Sequence, residues 1–224
     1  MLEFLPLVLS GVTLTISLAL TSVVVAIVCG LIGAAMKLSS VGILRILGGT
    51  YTTVVRGIPD LVLMLLVFFG GQILINSIGD KTGLWTYVEV SPFWAGSLSI
   101  GFIFGAYMTE TFRGAFLAVP NGQIEAAKAV GLAPRRYLLR VVWPQMVPHA
   151  LPNFTNNWLV LMKTTALVSI IGLQDVVYNA NQAGRTSQEP LTFLVLTFFI
   201  FLGLTLLSDI GLRKIGRVYA IREN

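Results

Sequence analysis

The sequence predicts an all-α membrane protein with about five transmembrane helices, and three observations lead to this fold class. Hydrophobic residues make up 55% of the 224 residues and charged residues only 11%, whereas a soluble domain carries roughly 25% charged residues. The mean hydropathy is +0.84. Several uncharged stretches also reach the length of about 20 apolar residues that a helix needs to cross the hydrocarbon core. Lipid must therefore be the solvent for much of the chain.

Five long stretches without charged side chains give the predicted helices in order. The chain carries no charge between Glu3 and Lys37, and none over 61–79, 90–109, 141–162 and 191–208. We therefore expect a single transmembrane domain over 1–224. Its predicted spans are about 10–36, 58–79, 91–112, 150–173 and 191–210.

Two other interpretations of the apolar stretches do not fit the sequence. A transmembrane β-strand alternates polar and apolar residues, whereas the run from Leu61 to Phe69 is apolar throughout. A signal peptide has a basic start and an apolar region of only 7–15 residues. The first stretch is longer and no basic residue precedes it, so we expect a retained helix.

Basic residues are distributed very unequally between the two ends of these helices. Twelve of the 15 basic residues fall on one side, in the segments 37–56, 113–140 and 213–222. Only Lys81 and Arg185 fall on the other side, and Lys163 lies within a span. An excess of basic residues marks the cytoplasmic side, which predicts a periplasmic N-terminus and a cytoplasmic C-terminus. The net charge of +5 then reflects topology and attraction to the lipid surface, not nucleic-acid binding.

The long segment 113–149, on the predicted cytoplasmic side, has the pattern of a helix pair. Residues 123–130 are good helix formers, and Gly131 is a suitable C-terminal stop. Pro134 suits the first position of a second helix, which we expect to end at Trp143–Pro144. A stiff pair of short helices that projects into the cytoplasm suits mechanical coupling to a soluble partner.

Part of this segment resembles the EAA loop of ABC-importer permeases. Residues 125–131 read E-A-A-K-A-V-G and residues 141–144 read V-V-W-P. Together they match the family pattern E-A-A-x3-G-x9-I-x-L-P in every spacing, with Trp143 in place of leucine as the one departure that affects local packing. In that family the loop is a coupling helix that sits in a cleft of the ATPase subunit. The resemblance therefore implies an ATPase contact through Glu125, Ala126, Ala127 and Gly131.

Three further segments extend the resemblance over essentially the whole chain. Residues 56–59 (R-G-I-P), 105–114 and 163–168 resemble the polar-amino-acid branch of these permeases. Asp60 stands where most of that branch has leucine, which makes the chain most similar to Q-type subunits of histidine/lysine-arginine-ornithine permeases and their opine relatives. The resemblance implies the type I ABC importer permease fold. It also implies import of polar, basic amino acids (histidine, arginine, lysine, ornithine) or opines by alternating access.

The same resemblance implies a multi-pass protein of the bacterial inner membrane with a defined set of partners. These are a second, M-type permease subunit, a dimer of ATP-binding cassette ATPases, a periplasmic substrate-binding protein, the amino-acid substrate and membrane lipid. The chain has no G-x-x-x-x-G-K-S/T phosphate loop, so ATP is expected to bind and be hydrolysed in the partner. We expect no cofactor, metal or enzymatic activity in this chain, because it also lacks a metal-ligand cluster and a nucleophile–base set.

Asp60 and Glu110 lie near the ends of the predicted second and third spans, and ionisable groups within spans are costly and usually functional. Asp60 follows Pro59 in the first turn of the second span, a position where the helix N-terminus favours an acidic side chain. Selection of cationic substrates is the alternative role. Glu110 lies three residues before Arg113, a spacing that favours an ion pair. We interpret Glu110 as a structural pair or gate latch, with a place in the substrate pathway as the alternative.

Lys163 lies about 13 residues into the predicted fourth span, roughly 20 Å along the helix axis. At helical spacing it shares one face with a polar stripe that we define as Asn153, Asn156, Asn157, Val160, Lys163 and Thr164. Such a stripe should face the bundle interior or a partner subunit. We interpret Lys163 as part of the substrate pathway, and an internal ion pair is the alternative. The candidate pathway residues are Asp60, Glu110, Asn156, Lys163 and Thr164.

Two other functions compete with an importer subunit. A small oligomeric channel would explain the polar stripe but not the EAA loop. A membrane-embedded enzyme would need a catalytic constellation that the sequence lacks. A small odd-numbered bundle also encloses a pathway poorly by itself, which favours a second membrane subunit.

Overall fold

The computed structural model describes residues 2–219, and this part of the chain is a helical bundle without β-strands. A 3₁₀ turn at Leu2–Phe4 precedes the first helix, and π-helical turns at Leu66–Gly70 and Leu138–Val142 join α3 to α4 and α7 to α8. A 3₁₀-helix at Thr165–Ile171 follows α8. The helices are α1 (Leu5–Leu38), α2 (Gly42–Gly57), α3 (Asp60–Leu65), α4 (Gly71–Thr82), α5 (Pro92–Leu117), α6 (Asn121–Ala129), α7 (Pro134–Tyr137), α8 (Trp143–Thr164), α9 (Val176–Ser187) and α10 (Pro190–Tyr219).

Helix α5 lies at the centre of the bundle, and α1 packs along its length. More than half of the α5 residues are buried. The two helices approach closely because glycines face side chains across the contact. A Cβ added at Gly30 would lie 2.5 Å from the Cβ of Met108, and one added at Gly101 would lie 2.5 Å from the Cβ of Val25. Small residues have the same role in other membrane helix pairs.

Three helical segments of the described chain are long and apolar enough to cross a membrane. They are α1, the unit Asp60–Thr82 and α10. A fourth span results if Pro134–Ile171 and Val176–Ser187, which meet at 53°, count as one. Helix α5 has 26 residues, which is about 39 Å, but its buried faces are rich in glycine, serine and threonine. Because other helices surround α5, it needs less apolar surface than a lipid-facing helix.

The predicted end of the second loop helix at Trp143–Pro144 is wrong. The chain continues as helix from Pro134 through α8 to Thr164, so this unit starts well before the predicted fourth span of 150–173. A proline inside an α-helix normally clashes with the carbonyl four residues earlier. The π turn Leu138–Val142 precedes Pro144, and the Trp143 N–H donates to the Leu138 carbonyl, five residues back. The wider turn makes room for Pro144 and lets the helix pass.

Helix α2 occupies a segment that the sequence assigned to a connection between the first two spans. Its 16 residues are amphipathic, with Gly48, Thr52 and Val55 buried against the bundle. The opposite face carries Ile43 and Ile46, which are 70% and 68% exposed. This helix therefore presents an apolar surface that the rest of the described chain does not cover.

Helix α9 also lies in a predicted connection, between the fourth and fifth spans. Asp175 caps its N-terminus, where the carboxylate accepts a hydrogen bond of 2.8 Å from the Tyr178 N–H. The helix is then held against α1, because the Asn179 amide donates to the Leu7 carbonyl at 3.0 Å. Residues near the start of α1 thus stabilise α9, the helix that precedes α10.

Candidate functional site

The loop that resembles the EAA motif ends helix α6 with a glycine in the left-handed conformation. Gly131 has φ of +74°, a region that costs other residues roughly 1–2 kcal/mol. The Gly131 N–H donates to the Lys128 carbonyl at 2.9 Å, and the Leu132 N–H donates to the Ala127 carbonyl at 3.1 Å. This pair of bonds is the Schellman motif. It confirms the predicted helix stop at Gly131 and turns the chain towards Pro134.

The four residues predicted to contact an ATPase divide between two faces of this loop. Glu125, Ala126 and Gly131 are exposed, whereas Ala127 is 5% exposed and anchors α6 to the bundle. Val130, beside the bend, is 75% exposed. An acidic side chain and uncovered small and apolar groups therefore lie together on the outer face of α6. That face is free to dock against a soluble protein.

Glu110 joins three helices at one end of the bundle. Its carboxylate accepts from the Lys37 ammonium at the end of α1 and from the Arg113 guanidinium at 3.0 Å. The same ammonium donates to the Thr52 hydroxyl of α2 at 3.0 Å. The predicted pair with Arg113 is confirmed, and Lys37 and Thr52 are partners that the sequence did not reveal. Two cations neutralise the Glu110 carboxylate. These contacts, together with the bond from Lys37 to Thr52, hold α1, α2 and α5 together.

Asp60 is the first residue of α3 and lies directly after Pro59, which is the helix N-cap. The side chain is half-buried. Within residues 2–219 its carboxylate forms no ion pair, and its place in the first turn of α3 is one where the positive end of a helix favours an acidic side chain. A carboxylate in this setting retains its capacity to attract a cation.

The polar stripe of α8 lies largely on the outside of this chain. Asn153, Asn156 and Lys163 are exposed, and Thr164 is half-buried and donates to the Val160 carbonyl at 3.1 Å. Asn157 turns inward instead, because its amide donates to the Thr111 hydroxyl of α5 at 3.1 Å. The stripe therefore does not face this chain's own core.

Lys163 has no counter-charge in the part of the chain that the structure describes, where the ion pairs are those of Glu110 with Lys37 and Arg113 and of Asp209 with Arg213. An ion pair within this chain, the alternative from the sequence, is thus not formed among residues 2–219. An ammonium at membrane depth costs several kcal/mol if it faces lipid. The side chain therefore needs water, a ligand or another subunit beside it.

Comparison with known proteins identifies the class to which these features belong. A family model described as "Binding-protein-dependent transport system inner membrane component" matches residues 23–217. The chain belongs to this family.

Relatives of this inner-membrane transport component are similar over nearly the whole chain. The HisQ permease protein of the histidine/lysine/arginine/ornithine transport system of Salmonella typhimurium is 46% identical over 96% of this chain and 93% of the relative. The NocQ permease protein of the nopaline transport system of Agrobacterium fabrum is 42% identical over 91% of this chain and 87% of its own. These similarities confirm the family resemblance that the EAA loop and the R-G-I-P segment carry.

A solved structure supports the fold of this transport component. A chain in the crystal structure of an amino acid ABC transporter with histidines superposes with a TM-score of 0.81 at 28% identity, over 97% of this chain and 96% of that chain. The all-α membrane fold predicted from the sequence, that of type I ABC importer permeases, is therefore confirmed.

Proposed function

We propose that this chain is a permease subunit that imports basic amino acids or opines across the bacterial inner membrane. The single observation that carries the proposal is the 46% identity to a histidine/lysine/arginine/ornithine permease over 96% of the chain. The similarity to a nopaline permease supports the opine alternative. The working unit contains a second, M-type permease subunit, two ATPase subunits and a periplasmic substrate-binding protein. In this arrangement the N-terminus is periplasmic and the C-terminus cytoplasmic.

ATP binding and hydrolysis take place in the ATPase subunits, and the exposed face of α6 transmits them to the membrane helices. The Schellman bend fixes the direction in which α6 leaves the bundle. The connection at Gly131 has to be rigid. A force on Glu125 or Ala126 moves the long helix after Pro134 only if this bend keeps its conformation. Residues 134–164 form a continuous helical unit, so this force reaches the polar stripe directly.

The polar stripe of α8 lines the substrate pathway between this chain and the second permease subunit. Its exposed members Asn156 and Lys163 are unsuited to lipid and lie outside this chain's core. Every amino-acid substrate carries an α-carboxylate, and the Lys163 ammonium offsets that charge during transit. Thr164 adds a hydroxyl next to it.

The two acidic candidates have different roles in this mechanism. Asp60 lies in the first turn of α3 without an ion pair in the described chain, so it attracts the cationic side chain of the substrate. Glu110 is already held by Lys37 and Arg113. It acts at the end of the pathway, where opening the gate requires these ion pairs to rearrange.

A small oligomeric channel is the second candidate function, because a polar stripe exposed on one face also suits a self-assembled pore. Two measurements separate the functions. Co-expression with the neighbouring transporter genes and purification through a tag on this chain should recover the ATPase in stoichiometric amount. Calorimetry on the neighbouring binding protein should detect a basic amino acid or an opine. Recovery of a pure homo-oligomer, or a binding protein specific for sugar, contradicts the proposal.

A further inference from the structure

Arg56 packs on an aromatic ring, and within residues 2–219 its guanidinium donates no hydrogen bond. It lies in the last turn of α2, and its guanidinium carbon lies 5.1 Å from the centre of the Tyr107 ring of α5. Stacking on an aromatic face fixes the plane of a guanidinium and leaves the N–H donors at its edge free. Among residues 2–219, Arg56 forms no ion pair, unlike Arg113 and Arg213. The N–H groups at the edge of the Arg56 guanidinium are therefore pre-oriented to bind a ligand.

These donors border a polar cavity of about 390 Å³ whose lining includes Lys37, Thr53 and Glu110. Arg113 is bonded to Glu110 on the other side of that carboxylate. Three cations thus surround one carboxylate, and the carboxylate is already shared between two of them. The remaining positive charge attracts an anion, and an arginine fork matches the paired oxygens of a phosphate or carboxylate.

The anionic group could belong to the amino-acid substrate, as its carboxylate, or to a phospholipid, as its phosphate. The charge of each molecule distinguishes between them. A basic amino acid carries a net positive charge, and the only carboxylate among the described residues that line the cavity, Glu110, is already paired. A phospholipid phosphate carries only negative charge, and its acyl chains need an apolar surface next to it. Helix α2 exposes an apolar face with Ile43, Ile46 and Val54, and Ile46 lies two helical turns before Thr53 of the cavity lining, on the same side of the helix. Basic side chains near an apolar helix face are typical of binding to anionic membrane surfaces.

We propose that this cavity is a binding site for the phosphate of an anionic phospholipid. The Arg56 fork binds two phosphate oxygens, Lys37 adds long-range attraction, and the acyl chains lie along the exposed apolar face of α2. The lipid thereby holds α2 against α1 and α5 at the end of the bundle where Glu110 joins them. This site is separate from the polar stripe of α8.

Native mass spectrometry of the purified complex with its partner subunits tests the site, with phosphatidylglycerol and phosphatidylcholine as probes. Wild type should retain phosphatidylglycerol preferentially. Arg56→Gln should lower this retention about tenfold, as expected for the loss of hydrogen bonds to a charged group, and Arg56→Lys should restore only part of it. The matched control is Arg45→Gln, because Arg45 is exposed on the same helix but does not line the cavity. It should leave retention unchanged.

Equal losses in the Arg45 and Arg56 variants would show diffuse attraction and overturn the proposal. So would equal retention of the two lipids, or displacement of phosphatidylglycerol by arginine or histidine, which would assign the cavity to a substrate carboxylate. If the Arg56 variants do not assemble, wild-type complex with a head-group photoactivatable phosphatidylglycerol decides the question. Cross-links should map to 42–57 and 107–113, and cross-links confined to other segments would contradict the site.

Discussion

Replacing Gly131 by alanine strains the bend after α6 without creating a steric clash. Apart from its two chain neighbours, no residue of the described chain comes within 4 Å of a Cβ built at Gly131, so the cost comes from its φ of +74°. That cost is about 1–2 kcal/mol for an ordinary residue. If the bend relaxes instead, it loses two backbone hydrogen bonds of 2.9 and 3.1 Å, each worth about 1 kcal/mol net. The exposed face of α6 then leaves the bundle in another direction.

The assay is co-purification of the ATPase through a tag on this chain, followed by ATP hydrolysis stimulated by the loaded binding protein. Gly131→Ala should lower stimulated hydrolysis several-fold, and Gly131→Val should lower it further because a β-branched residue tolerates positive φ less well. Gly131→Asn should retain most activity, since asparagine adopts the left-handed region more readily.

The matched control is Gly122→Ala in the same loop. Gly122 is exposed, lies at the start of α6 and has no positive φ. Its added Cβ would meet nothing within 4 Å beyond its chain neighbours and its own helix backbone. Alanine there favours the helix, so coupling should be unchanged. Full coupling in Gly131→Val, or a loss in Gly122→Ala as large as that in Gly131→Ala, would refute the idea that the bend transmits force.

Three further predictions concern the pathway and the topology. Lys163→Met should lower uptake of every substrate at least about tenfold, because no cation then offsets the α-carboxylate, while co-purification of the subunits stays normal; normal uptake, or loss of assembly, would show that the lysine is irrelevant or structural. Asp60→Leu should lower uptake of cationic substrates about tenfold and of neutral ones little, and equal losses would point to a helix-stability role. In a chain without Cys29, cysteines replacing Lys81 and Arg185 should react with an impermeant reagent in intact cells, and one replacing Arg136 should react only after permeabilisation; the opposite pattern would reverse the topology.

Local signals in the sequence predicted several features well. The bend at Gly131 follows from a glycine after a run of helix formers, and the Glu110–Arg113 pair follows from i,i+3 spacing. Both depend only on neighbours along the chain. The partner Lys37 could not be predicted in this way, because its contact depends on how far α1 slides along α5. Close glycine contacts set that register, and a glycine alone does not reveal its opposite residue.

Two helices and one boundary escaped prediction for different physical reasons. Helix α2 lies between Lys37 and Asp60, where Arg45, Arg56 and two adjacent glycines resemble a connection, and only its packing against α1 and α5 reveals the amphipathic face. Helix α9 is short and polar, and it depends on the Asp175 cap and the contact with α1. At Pro144 the expected break did not occur, because a π turn accommodates the ring.

The stacking of Arg56 on Tyr107 was also beyond the sequence, since 51 positions separate the two residues. The sequence showed the R-G-I-P segment that contains Arg56. This segment marks the end of α2, but it does not reveal which residue the arginine contacts. The polar stripe of α8, in contrast, was visible in the sequence before its surroundings were known. Its periodicity was visible in the sequence, and the structure adds that Asn157 alone turns inward to Thr111.

Uptake by the reconstituted importer is the decisive measurement of the proposed transport function. The complex of this chain with its second permease subunit and ATPases is placed in vesicles that contain ATP, with the binding protein and labelled arginine or histidine outside. We expect accumulation of a basic amino acid, or of an opine, that requires both internal ATP and the binding protein. Accumulation that needs neither would indicate a channel, and ATP-driven uptake restricted to neutral amino acids would contradict the proposed substrate class.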